Sequence, residues 1–135
     1  MKKRAVFIGR WTPFHKGHLH IMQSKIDKGI PLLILVRDTP DDVYPVDVRV
    51  EMINACMKEL NVDAEVMVIP DIESVNYGRG VGYEVNEIHS EPEIESISAT
   101  NIRESISNND DSWNEQIAPG AEEIINKFND QGVSI

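Results

Sequence analysis

Three of the four histidines fall within residues 9–20, GRWTPFHKGHLH, together with an arginine, a lysine and two glycines. His15 and His18 are three apart, so at the start of a helix both rings can address one ligand. Imidazole donates hydrogen bonds and, with an ordinary pKa near ~6.5, carries partial charge at neutral pH. Gly17 removes a side chain where an anion would approach the backbone. A helix N-terminus adds unpaired N–H groups and the positive end of a dipole. These residues at this spacing suit a phosphate. His-x-x-His also suits zinc, but the one histidine elsewhere is His89 and the single cysteine, Cys56, offers no thiolate cluster, so no metal site is assigned. A Walker-type loop is excluded, because no Gly-Lys-Ser/Thr follows a glycine-rich run. Histidines that only cap or pack remain the alternative for any single ring.

The neighbouring elements decide where those side chains can act. Residues 4–9 form a continuous apolar run, the pattern of a strand buried on both faces of a parallel sheet. A helix follows from about 17 to 28, with Leu19, Met22 and Ile26 at helical spacing and Gly29 as its stop. Residues 31–37 are a second apolar strand, 46–60 a helix burying Val50, Ile53, Met57 and Leu60, and 64–70 a third strand. Strand–helix–strand–helix–strand predicts a Rossmann-like α/β fold: an open, mainly parallel sheet with right-handed crossovers and flanking helices, in one domain over 1–135. The 76–83 stretch, NYGRGVGY, reads as a loop. YEVNEI (83–88) alternates like a short strand, and EIESIS (93–98) is a candidate for another. Helices are expected from Thr100 to Ser107 and from Pro119 to Asn129. In such a sheet ligands bind beyond the carboxyl ends of the strands, which is where the histidine stretch sits.

A second string, ISATNIR (97–103), carries chemistry late in the chain. Ser98 or Thr100 can N-cap a helix whose apolar face is Ile102 and Ile106. Arg103 then lies one turn in, able to reach the same phosphate.

Composition narrows the partners. The formal charge is −10, from 23 acidic and 13 basic residues, which excludes a broad basic face for nucleic acid. Seven of the basic residues (Lys2, Lys3, Arg4, Arg10, Lys16, Lys25, Lys28) crowd the first 28 positions, enough for one triphosphate. No segment approaches the ~20 apolar residues of a membrane span. The apolar run after MKKR is too short for a signal peptide, and the lone cysteine suits a reducing cytoplasm, a cell's own or a host's. Composition leaves a homo-oligomer open.

GRWTPFHKGH resembles the Gly-Arg-Phe-x-Pro-x-His-x-Gly-His signature of the HxGH nucleotidylyltransferase superfamily, which has a cytidylyltransferase-like fold. The closest motif match is to its nicotinamide-mononucleotide adenylyltransferase branch. ISATNIR is similar to the superfamily's second signature, Ile-Ser-x-Thr-x-x-Arg, and the two strings stand in the expected order about eighty residues apart. The resemblance implies an enzyme that joins a nucleoside triphosphate to a small phosphorylated acceptor and releases pyrophosphate, with Mg²⁺ bridging phosphates and few protein ligands to it. It implies catalytic roles for His15, His18 and Arg103. Gly9, Arg10, Trp11, Thr12, Gly17, Ser98 and Thr100 would line the nucleotide site. Arg49, in VDVRVEMI, is similar to an arginine that faces the acceptor phosphate, with a solvated helix arginine as the alternative. Tyr77 and Arg79 in the glycine-rich loop are acceptor-side candidates, against a plain surface loop.

The length fits small cytidylyltransferases better, yet those carry an Arg-Thr-x-Gly-Ile-Ser pattern where this chain has PEIESIS. ATP and nicotinamide mononucleotide (NMN) are therefore the expected pair. CTP with a small phosphorylated alcohol or phosphonate is the alternative, and a non-catalytic nucleotide sensor is the reading from another class. Intact motifs favour the enzyme, since a sensor has no need of both histidines and Arg103.

Overall fold

Every residue from Leu32 to Val36 is apolar, and this run becomes the central strand of a three-stranded parallel sheet. The computed structural model describes residues 1–40, 43–88 and 97–130. Its elements are β1 (Ala5–Gly9), α1 (Lys16–Asp27), β2 (Leu32–Asp38), α2 (Val46–Glu59), β3 (Ala64–Pro70), α3 (Ala99–Ser107), a 3₁₀ turn (Asp111–Glu115) and α4 (Ala121–Asp130). The strand order is β1-β2-β3, with Phe7 beside Ile34 and Ile34 beside Val66. The expected α/β class and the first five elements are borne out.

Burial within the sheet differs from expectation. Alternate residues of a strand face opposite sides, and the side bearing Phe7, Leu32, Ile34 and Val36 is buried with Met22, Met52, Ile53 and Ile125. On the other side Val6 and Met67 are 52% and 47% exposed. The sheet is thus one-sided among the described residues, because the chain after β3 stays in exposed loops through residue 88. The strand expected at 83–88 is absent. Among the described residues Val85 and Ile88 find no apolar surface to cover them, and both are exposed. The candidate strand at 93–98 lies outside the described residues except for Ile97 and Ser98, as does His89.

The carboxyl-terminal part closes the core. Trp113 and Ile117 are buried, and Lys16 N–H donates to the Gln116 carbonyl at 2.8 Å while Ala118 N–H donates to the Phe14 carbonyl at 3.2 Å. The tail therefore grips the histidine stretch on both sides of His15. α4 lies against α2 through Gly120, whose φ of +84° favours glycine and where a Cβ would stand 2.9 Å from the Ala55 carbonyl oxygen. Cys56 is buried beneath them, and that burial, with Glu59 and Glu122, pushes its thiol up to about 12. No helix among the described residues is long and apolar enough to cross a membrane.

Candidate active site

β1 ends at Gly9, and the next three residues are fixed from three directions. The Trp11 indole lies over Gly9, where a Cβ would come within 2.7 Å of the ring, so only glycine admits it. Close contact with the indole explains this glycine. Trp11 has φ of +56°, a region that side-chain-bearing residues rarely occupy. Its indole N–H donates to the Leu35 carbonyl of β2 at 3.0 Å, which holds the ring and hence the backbone. Arg49 Nη1 of α2 donates to the Arg10 carbonyl at 2.8 Å. From α3, Arg103 Nη1 donates to the Thr12 carbonyl across ninety-one residues of sequence.

His15 is the N-cap of α1, and the two histidines cap each other. His18 N–H donates to His15 Nδ1, and His15 N–H donates to His18 Nδ1, both at 3.3 Å. Their rings stack with centroids 3.6 Å apart. Neutral imidazole has one donor nitrogen and one acceptor. Since Nδ1 accepts in both rings, the ring proton sits on Nε2. Burial pushes His15 down to about 4, and burial together with the neighbouring His15 pushes His18 down to about 2. At neutral pH the pair is uncharged, which corrects the partial charge expected from sequence. Each ring is a neutral Nε2–H donor of fixed tautomer.

A cavity of about 410 Å³ opens here, and both sequence motifs reach it. Motif one contributes Gly9, Arg10, Trp11, Thr12 and His18; motif two contributes Thr100 and Arg103. Arg103 Nη2 also meets Thr100 Oγ1 at 3.3 Å. Thr12 Oγ1 is buried with no hydrogen-bond partner among the described residues. A buried hydroxyl without a partner is costly, and a ligand oxygen in the cavity would supply one. Arg10, Arg37 and Arg103 line this space, and among the described residues no carboxylate does, although the whole chain is acidic.

Other expected site residues stand elsewhere. His15 is buried behind His18, and Gly17 is not on the cavity wall. Ser98 Oγ accepts from the Asn101 N–H at 3.4 Å, so it caps α3. Arg49 corrects the acceptor-binding expectation. Its side chain is fully buried and donates to the Tyr44, Arg10 and Arg37 carbonyls, so it braces the loops from beneath. Tyr77 and Arg79 are exposed and do not line the cavity. Sequence reasoning missed Arg37, whose only signal was its place at the carboxyl end of the second strand.

The donor set also bears on a metal. Among the described residues no three His, Cys, Asp or Glu side chains cluster. The cavity wall, with Arg10, Arg37 and Arg103, suits an anion.

No family model matches the chain. It is 36% identical over 81 residues to the nicotinamide-nucleotide adenylyltransferase of Sulfurisphaera tokodaii, covering 56% of this chain and 47% of that protein. It is 33% identical over 75 residues to the same-named protein of Methanococcus vannielii, covering 52% and 44%. In these two comparisons the chain spans about half the length of its relative. Against the same-named protein of Methanococcus aeolicus the identity is 28% over 157 aligned positions, covering 93% of this chain and 89% of that protein.

Proposed function

We propose that this protein is a nucleotidylyltransferase that transfers AMP from Mg²⁺-bound ATP to nicotinamide mononucleotide, releasing pyrophosphate. The observation that carries the reading is the meeting of Arg103, Thr100 and His18 around one cavity with the Thr12 hydroxyl, which has no hydrogen-bond partner among the described residues. The names of the archaeal relatives support ATP and NMN over CTP and a phosphorylated alcohol.

An oxygen of the acceptor phosphate forms a bond to the α-phosphorus. The bond from that phosphorus to the α–β bridging oxygen breaks, and its electron pair leaves with pyrophosphate. The protein supplies no nucleophile, so its work is positioning and charge stabilisation. His18 donates Nε2–H toward the α-phosphate, and His15 fixes the His18 backbone while orienting its ring. Thr100 and Arg103 hold the outer phosphates, and Arg10 and Thr12 line their path. When bound, Mg²⁺ would neutralise part of the triphosphate charge, alongside Thr100 and Arg103. Being neutral, His18 stabilises charge by hydrogen bonding without a proton transfer.

Pyrophosphate release from ATP and CTP, each offered with NMN, glycerol 3-phosphate or 2-aminoethylphosphonate, tests the reading. Release is expected with ATP and NMN. Turnover confined to CTP would replace the substrates and keep the reaction type; nucleotide binding with no release from any pair would make the protein a sensor.

A further inference from the structure

Arg37 enters the cavity from β2, a strand that neither sequence motif touches. Its side chain is held from outside the cavity wall: Nε and Nη2 donate to Asp71 Oδ1 at 2.8 and 2.7 Å. Asp71 Oδ1 is itself fixed by the Ile72 N–H at 2.9 Å. The Arg37 backbone is held as well. One buried nitrogen, Arg49 Nη1, donates to the Arg37 carbonyl at 2.9 Å and to the Arg10 carbonyl at 2.8 Å. The residues following β1 and ending β2 are thereby kept at a set separation. Asp71 engages two donors of the guanidinium and leaves the rest of the fork outside the pair.

The proposed reaction brings an anionic phosphate against an anionic triphosphate. Reacting atoms must approach to ~3–3.5 Å, so repulsion has to be offset from the acceptor side too. Arg103 is tied to Thr12 and Thr100 on the nucleotide side. Arg37 is the cation at the β2 end of the same cavity, and a guanidinium fork matches phosphate oxygens in pairs. We propose that Arg37, oriented by Asp71, binds the phosphate of the acceptor and selects for phosphorylated acceptors. This assignment rests on the transferase reading above.

Calorimetric titrations of wild type and Arg37→Ala with ATP, NMN, nicotinamide riboside and ribose 5-phosphate test it. Wild type should prefer NMN over nicotinamide riboside, and Arg37→Ala should shrink that preference at least tenfold while changing ATP affinity less than threefold. Arg37→Lys, which keeps the charge and loses the fork, should fall between them. Equal weakening of NMN and the riboside, or of NMN and ATP, would make Arg37 a structural brace and overturn the proposal, as would unchanged NMN binding. Wild type that binds ATP but neither NMN nor ribose 5-phosphate would also overturn it. Arg37-dependent binding of ribose 5-phosphate without turnover of NMN would keep the subsite and discard NMN as the acceptor.

Discussion

His15 and His18 hold each other's ring through each other's backbone, each Nδ1 accepting the N–H of the other residue at 3.3 Å. The same pair of contacts that begins α1 also fixes which nitrogen carries the proton. Helix capping and the tautomer of both rings are therefore one arrangement.

That arrangement separates two effects of mutation at His18. His18→Asn keeps an acceptor near the Nδ1 position but loses Nε2–H, so folding should stay close to wild type. Turnover should drop by roughly 10²–10³-fold, the usual consequence of losing one transition-state donor. Circular dichroism and steady-state rates on the true substrate pair would show this. Wild-type kcat in His18→Asn would sink the assigned donor role.

Stability should fall as the solution is made mildly acidic. Unfolded histidine titrates near ~6.5, whereas burial lowers His15 to about 4 and His18 to about 2. Below pH ~6.5 the unfolded chain then binds more protons than the folded one, so unfolding gains. The contribution is intact above that pH and is lost progressively toward pH 4 for His15 and pH 2 for His18, on the order of 1–2 kcal/mol per ring by pH 5. Urea unfolding at pH 7, 6 and 5 measures it, and His15→Asn should give a shallower decline. A stability that is flat from pH 7 to 5 would contradict the buried, neutral pair.

Arg103→Ala should weaken ATP more than AMP, because its proposed contact lies beyond the α-phosphate. It also frees the Thr12 carbonyl, so a smaller, shared loss for both nucleotides is expected beneath the difference. Parallel titrations with ATP and AMP separate the two effects. Equal losses would confine Arg103 to bracing the loop.

Arg49 should matter to stability more than its exposed counterparts do. Arg49→Met removes the donor from the carbonyls of Tyr44, Arg10 and Arg37, the first bond buried and the other two part-buried. Each unpaired buried acceptor costs roughly 1–3 kcal/mol, so a loss of about 3 kcal/mol or more in urea unfolding is expected. The Michaelis constants for both substrates should rise together, since both loops hang on this residue. A loss below about 1 kcal/mol would mean that the carbonyls find other donors.

The local order of elements was legible in the sequence because it depends on neighbours along the chain. Apolar runs at 32–36 and 64–70, helical spacing in 46–60, Gly29 as a stop and a cap at Ser98 or Thr100 all act within a few residues. The two motifs were legible for the same reason, each being a strand-to-helix or loop-to-helix junction with its own chemistry. The 83–88 alternation misled because a strand needs a partner and a covered face, and alternation alone supplies neither. Distance in sequence hid the rest. Only the folded chain brings Arg103 to the Thr12 carbonyl and residues 116–118 alongside the histidine stretch. It turns Arg49 inward to carbonyls that no spacing rule points to, and sets Arg37 on the cavity wall, paired with Asp71. The charge of the histidines was likewise a tertiary matter, because desolvation by packed neighbours, and not residue type, keeps both rings neutral.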